Sequence, residues 1–261
     1  MSVVVLVLVQ TLGTDTRGAH VVRFDIRSTL LHKTMPVVAV IPPGVTHRPR
    51  PLLVFLHGRG EDQNSNLDGA MFAALASLKS RAPDIVFPYG GSDSYWHDRA
   101  DGRWGSYVMR EVIPRAVALL HGDPDRVAIG GISMGGFGAL NLARLHPRRF
   151  CAVGAHSAAL WPSGGDSAAG AFDDAQDFAR NDVIAAARAR DPYPAVAVWI
   201  DVGTQDPFRA TDTMLARLLR RDGQSVGFHV WPGSHDQDYW QSHWSSYLRF
   251  YAKALARCHR S

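Results

Sequence analysis

The stretch Arg126-Val127-Ala128-Ile129-Gly130-Gly131-Ile132-Ser133-Met134-Gly135-Gly136-Phe137-Gly138 decides the fold. Its apolar run is too short for a helix and ends in Gly-x-Ser-x-Gly, formed by Gly131, Ser133 and Gly135; Ala139, Leu140, Leu142 and Leu145 then follow at helical spacing. The reading is strand, sharp turn, helix, with a serine at the apex. Such a turn forces its apex residue into a strained backbone conformation, and glycines two positions to either side remove the Cβ atoms that would clash. The Ser133 hydroxyl is therefore expected to stand out from the carboxyl edge of a sheet, at the N-terminus of a helix whose dipole favours negative charge. Gly-x-Ser-x-Gly alone recurs in many chains; the strand before it and the helix after it make Ser133 a candidate nucleophile.

Outward from this turn the chain alternates. Leu52-Leu53-Val54-Phe55-Leu56 is a continuous apolar run of the kind a strand covered on both faces needs. A helix is expected over 67–79, with Leu67, Met71, Leu75 and Leu78 on one stripe, then a strand over 84–87. A second helix is expected over 107–120, kinked or divided by Pro114. Before residue 50, the β-rich segments 21–26 and 37–41 suggest antiparallel strands at one edge of the sheet. Downstream, strands are expected over 150–155, 196–202 and 226–231, and a helix over 211–221. A last helix carries Trp240, Trp244, Tyr247, Leu248, Tyr251 and Leu255 on one face. The pattern predicts an α/β fold, a single domain over 1–261 with a mostly parallel central sheet flanked by helices. Residues 161–194 break the rhythm with loop composition and one helical piece near 182–190, so a small cap or lid insertion over the site is expected there.

With 261 residues, 46% hydrophobic and 20% charged, the chain can bury a sizeable core. Its net charge of +4 comes from scattered arginines, paired at Arg148-Arg149 and Arg220-Arg221 but forming no stripe, which reads as solvated surface and not as a nucleic-acid footprint. The two cysteines lack metal-ligand spacing; Cys151 reads as a buried small hydrophobe, and a pairing with Cys258 stays open. The apolar run 3–9 has no basic start and no small-residue cleavage site after it, so it reads as a β-strand or the remnant of a longer export signal. A cytoplasmic location is the expectation, with secretion the alternative if a signal is missing. No run approaches the ~18 apolar residues of a membrane span.

A neutral serine hydroxyl needs a base, and the base needs a group to fix its tautomer. Of the 12 histidines, His235 follows the last strand and precedes the last helix, at the same carboxyl edge as Ser133. His156 follows the strand after the serine and reads as a loop or supporting residue, while His229 sits inside a strand. In Trp199-Ile-Asp201-Val-Gly-Thr-Gln-Asp206, Asp206 falls in the loop after the strand and is the candidate acid; Asp201 reads as a structural residue bonding loop backbone. The order is Ser133, Asp206, His235. An oxyanion hole is expected from the glycine-rich turn His57-Gly58-Arg59-Gly60 and from the N–H of Met134. The Arg59 side chain itself reads as solvated.

These residues resemble the esterase D / putative esterase family of α/β hydrolases, which includes S-formylglutathione hydrolases, feruloyl and acetyl-xylan esterases and the antigen 85 mycolyltransferases. The resemblance runs from Ser28 and Val40 to Gly44, through Leu56-His57-Gly58, Gly131 to Gly136, Asp201 to Asp206 and Pro232 to His235, to Tyr239, Trp240 and Trp244. It implies a nucleophile, acid and base at Ser133, Asp206 and His235, backbone oxyanion donors at Arg59 and Met134, acyl transfer through an acyl-serine, and no metal or organic cofactor. The expected activity is a serine carboxylesterase acting on small to medium esters. The alternatives are an acyltransferase to a sugar or other alcohol, and a hydrolase-fold binding protein without turnover. Trp96, Trp104, Tyr107 and Trp161 are candidates for an aromatic pocket wall, with core packing the competing role.

Overall fold

The structure, a computed structural model, describes residues 14–44 and 48–258, so the strand expected at 3–9 lies outside the described residues. Among them the main sheet has eight strands: β1 (His20–Ser28), β2 (Lys33–Ile41), β3 (Leu52–Leu56), β4 (Asp84–Pro88), β5 (Val127–Ile132), β6 (Ala152–His156), β7 (Ala197–Gly203) and β8 (Val226–Trp231). Their spatial order is β1-β2-β4-β3-β5-β6-β7-β8. β1 pairs antiparallel with β2, and β2 with β4; every pairing from β4 across to β8 is parallel. The expected α/β architecture, with antiparallel strands at one edge, is what forms.

Alternation along each strand feeds two cores. Leu52, Val54 and Leu56 of β3 join Val127 and Ile129 on one face, while Leu53 and Phe55 join Ala128 and Ile132 on the other. All five residues of β3 are fully buried, and each such side chain contributes roughly 1.5–3 kcal/mol by leaving water. That is why the strand needs no polar alternation.

The helices cover both faces. α1 (Gly69–Ser77) is capped by Asp68, whose carboxylate accepts the Met71 N–H at 2.8 Å. This cap starts the helix two residues later than its apolar stripe suggests, although Leu67, Met71, Leu75 and Leu78 are all buried. The second helical region begins at α2 (Trp104–Tyr107), opens into a π-type stretch at Val108–Val112 and continues as α3 (Ile113–Leu120). Pro114 has no N–H to give and crowds the carbonyl four residues back, so the widened turn sits just before it. α4 (Met134–Leu145) follows Ser133 directly. Residues 161–194 hold two short helices, α5 (Ala175–Asn181) and α6 (Val183–Ala189), each capped by an aspartate, Asp174 or Asp182. α7 (Arg209–Arg221) and α8 (Gln237–Arg257) complete the layers, and the predicted aromatic face of α8 is buried against α1 and the sheet.

Two expectations change. Cys151, before β6, and Cys258, after α8, form a disulfide across a separation of 107 residues, so Cys151 is a cross-link and not merely a small hydrophobe. The positive charge is also less scattered than its composition suggests, since Arg249, Lys253 and Arg257 repeat every fourth residue along the exposed side of α8. They border a groove of about 1130 Å³ beside Trp199, Phe250 and the disulfide, at the amino-terminal edge of the strands and away from Ser133.

Candidate active site

Ser133 sits between β5 and α4 with φ 55° and ψ −114°, a left-handed conformation that costs a non-glycine residue on the order of 1–3 kcal/mol. Its backbone is fixed on both sides: the N–H donates to His156 O at 3.0 Å, and its carbonyl accepts from Phe137 and Ala159, each at 3.0 Å. A Cβ at Gly131 would come within 2.6 Å of the Leu56 carbonyl oxygen, and one at Gly135 would overlap that same oxygen. The glycines are therefore required because β3 passes directly beneath the turn.

The Ser133 hydroxyl donates to His235 Nε2 at 2.8 Å, and His235 Nδ1–H donates to Asp206 Oδ2 at 2.8 Å. The Asp206 side chain is fully buried and that of His235 is 24% exposed, which leaves one edge of the imidazole open to a reactant. The other Asp206 oxygen accepts the Phe208 N–H at 2.8 Å. The loops bearing acid and base are pressed together, with Thr204 N–H on Trp231 O at 2.8 Å and Gln205 N–H on Gly233 O at 2.9 Å. Phe208 and Trp240 flank the imidazole edge-to-face at 5.2 and 5.1 Å between ring centroids. Position at strand ends thus brings together the three side chains that the sequence singles out.

The two backbone N–H groups expected to serve as oxyanion donors are those of Met134 and Arg59. Met134 is the first residue of α4, so its N–H is one of the helix's unpaired donors. In the turn after β3, the N–H groups of Gly58, Gly60 and Glu61 are bonded to Glu61 Oε2, Ser92 O and Gly58 O, at 2.7, 2.7 and 3.3 Å. Among the described residues the Arg59 N–H has no protein acceptor. Its side chain is not simply solvated, because Nη2 reaches Ala169 O at 3.4 Å. His57 is buried and its ring is pushed down to about 4 by that burial, with Nδ1–H donating to Gly58 O at 2.8 Å and Nε2 accepting the Gly90 N–H at 3.1 Å.

Beneath the serine lies a buried polar cluster that sequence reading misassigned. Asp201 bonds side chains, not loop backbone: Oδ1 accepts from His156 Nδ1–H at 2.6 Å and Trp199 Nε1 at 2.7 Å, and Oδ2 accepts from the hydroxyls of Tyr239 and Tyr247, each at 2.9 Å. Tyr251 completes it by donating to His156 Nε2 at 3.0 Å. The cluster locks the ends of β6 and β7 to α8. Asp212, on α7, was not singled out; it accepts the Ala158 N–H at 3.1 Å, and burial, followed by the charges of Asp206 and Asp201, raises its carboxyl well above the usual range. A signal existed, since Asp212 shares a helical stripe with Leu215, Ala216 and Leu219, where an acid is out of place.

The aromatic candidates divide. Trp96 is fully buried, donates Nε1 to His57 O at 3.2 Å and fills the space left by Gly90 and Gly138, so it is core and not pocket wall. Trp104 is likewise buried, bonded to Asp101 at 3.1 Å and packed on Gly91 and Gly102, and Tyr107 is fully buried in the same core. Trp161 is half-buried and contacts Phe208 at 5.7 Å and Tyr95 at 5.5 Å between centroids, which continues the ring chain that starts at His235. Phe208 escaped notice because it follows Asp206-Pro207, a loop with no periodicity to read. Among the described residues no group of three or more His, Cys, Asp or Glu side chains is arranged to hold a metal ion.

Comparison with known proteins agrees with this architecture. The family described as "Putative esterase" matches residues 28–251. The MPT51 antigen of Mycobacterium leprae (strain TN) is 35% identical over 94 residues, covering 34% of this chain and 31% of that protein, so the match spans about a third of the relative's length. Among solved structures, a ferulic acid esterase superposes with a TM-score of 0.80 at 24% identity, covering 90% of this chain and 99% of the other. An S-formylglutathione hydrolase from Agrobacterium tumefaciens superposes with a TM-score of 0.78 at 20% identity, covering 91% and 96%. MPT51 of Mycobacterium tuberculosis gives 0.66 at 20% identity, covering 89% and 96%. The family match spans most of the chain and the fold is the α/β-hydrolase fold shared with these structures, so the chain belongs to the putative esterase family.

Proposed function

We propose that the protein is a serine carboxylesterase in which Ser133, His235 and Asp206 act as a catalytic triad. The observation that carries this is the pair of 2.8 Å hydrogen bonds in series from serine to imidazole to carboxylate. Ser133 Oγ attacks the ester carbonyl while His235 Nε2 takes its proton, and Asp206 holds the imidazole in the tautomer with Nε2 free to accept. The tetrahedral oxyanion receives the N–H groups of Arg59 and Met134, donors that need no reorganisation as charge develops. His235 then gives the proton to the departing alcohol, and water repeats the sequence to free the acid. Trp161, Tyr95 and Phe208 form an aromatic wall beside the imidazole, which suits small to medium esters with a flat or apolar group. Residues 161–194, which supply Trp161 and the Arg59 contact, serve as the cap.

Hydrolysis of p-nitrophenyl acetate and butyrate tests this reading: the purified protein should turn them over and Ser133→Ala should abolish it. Unchanged turnover in that variant would sink the assignment. Acyl transfer is the second reading, favoured by the partial match to MPT51 and the antigen 85 resemblance. Product analysis with a sugar acceptor decides it, since transfer must then exceed hydrolysis. The Cys151–Cys258 disulfide favours the secreted alternative for location, because such bonds persist in oxidising compartments.

A further inference from the structure

The turn His57-Gly58-Arg59-Gly60-Glu61 contains a carboxylate that the proposed chemistry does not use. Glu61 is partly buried, and burial raises its carboxyl pKa, an effect opposed by hydrogen bonds from the Gly58 N–H and the Gln237 amide and by the charge of His235. Partly burying a charge is unfavourable unless hydrogen bonds compensate, so its partners indicate what it holds. Oε2 accepts the Gly58 N–H at 2.7 Å, and Oε1 accepts from the side-chain amide of Gln237. Gln237 opens α8, two residues after His235. The carboxylate therefore ties the turn that offers the Arg59 N–H to the loop that delivers the imidazole. Serine, turn and carboxylate also lie in one contact layer: a Cβ built at Gly58 would sit 3.1 Å from Glu61 Oε2 and 3.6 Å from Ser133 Cβ.

We infer that Glu61 is a positioning residue for the oxyanion hole, a strut between the turn after β3 and the start of α8 that leaves the Arg59 N–H aimed at the reacting oxygen. The inference rests on the esterase reading of the site. With Oε2 occupying the Gly58 N–H, and Ser92 and Gly58 carbonyls occupying those of Gly60 and Glu61, one donor of the turn stays free. Without the carboxylate, the Gly58 N–H loses its acceptor and the turn can rotate to bond elsewhere. Deleting an oxyanion donor outright costs about 10²–10³ in kcat, so misplacing one should cost on the order of tenfold or more.

The test compares Glu61→Ala and Glu61→Gln with the unmodified protein on p-nitrophenyl acetate. Expected for Glu61→Ala is a kcat lowered on the order of tenfold or more, with KM within about twofold. Glu61→Gln should restore most of the loss: its Oε1 can accept from Gly58, and its amide can donate to a Gln237 turned about its own amide. A Glu61→Ala kcat within about threefold of the original overturns the strut, as does a Glu61→Gln variant no better than Glu61→Ala, since charge alone would then be at work. Should Glu61→Ala fail to fold, Gln237→Ala releases only the far end of the strut; a reduced kcat at unchanged KM supports it and full kcat overturns it. If the unmodified protein hydrolyses no ester, the esterase reading falls separately. Hydrogen exchange of the 57–61 backbone then judges the strut: faster exchange in Glu61→Ala or Gln237→Ala supports it, and equal exchange overturns it.

Discussion

Asp206 and Asp212 are close in sequence and in space, yet their surroundings give them opposite duties. Asp206 faces an imidazole N–H and a backbone N–H at 2.8 Å each. Asp212 has one backbone donor at 3.1 Å and, among the described residues, no partner for its other oxygen; burial first, and then the two nearby carboxylates, raise its pKa. Its carboxyl is thus held well above the usual carboxylate range, where the neutral form is favoured, and Asp212→Asn should leave kcat within about threefold and stability within about 1 kcal/mol. Asp206→Asn should lower kcat by on the order of 10⁴, because the amide selects the wrong imidazole tautomer. Steady-state kinetics of the two variants check this, and equal losses would contradict it. Ser133, Asp206 and His235 are legible in sequence because each stands in a loop just after a strand, a position that local pattern reveals. Glu61 is not, because an acid in a glycine-rich turn looks solvated until Gln237, distant in sequence, comes to meet it. Trp96 fails for a similar reason, since the cavity it fills is made by Gly90 and Gly138 from two other segments.

At the level of elements, the central unit is β3 passing under the turn between β5 and α4. Gly135 lies against the Leu56 carbonyl so closely that any Cβ must displace one of the two backbones. Gly135→Ala is expected to lower stability by about 3 kcal/mol or more and to abolish turnover, as read by urea midpoint and ester hydrolysis. A variant with native midpoint and kcat would show that the turn yields more easily than its packing implies. Strand positions were legible from apolar runs because both faces of the sheet are covered. Helix limits were less so: Asp68 sets the start of α1 through a side-chain cap, and Pro114 widens the turn before it, effects that override a hydrophobic stripe.

At the scale of the molecule, two features bear on stability. The Cys151–Cys258 bond closes a loop with a separation of 107 residues, worth about 4–5 kcal/mol on chain-entropy grounds. Reduction with dithiothreitol should therefore lower the melting midpoint by roughly 10 °C or more in a calorimetric scan; an unchanged midpoint would contradict this. Sequence leaves the pairing open because the two cysteines meet only once α8 has packed across the sheet. The second feature is pH. Burial holds the His57 ring at about 4 against 6.5 in the unfolded chain, so the unfolded state takes up that proton first and stability falls as pH drops from about 6.5 to 4. Asp84 acts oppositely: burial, only partly countered by Arg50, lifts it to about 6 from 3.8, so stability is regained as pH falls through that range. Asp84→Asn should remove the compensation, and its unfolding free energy should fall by roughly 2–2.5 kcal/mol between pH 7 and pH 4.5 through His57, more steeply than in the unmodified protein. Parallel profiles in urea titrations would contradict the assignment. The central claim is that folding turns one serine hydroxyl, among many in the chain, into a nucleophile. Its most direct measurement is peptide mapping after reaction with a fluorophosphonate: the account predicts a single phosphonyl adduct, on Ser133, lost in His235→Ala. An unlabelled protein, or an adduct on another residue, would contradict it.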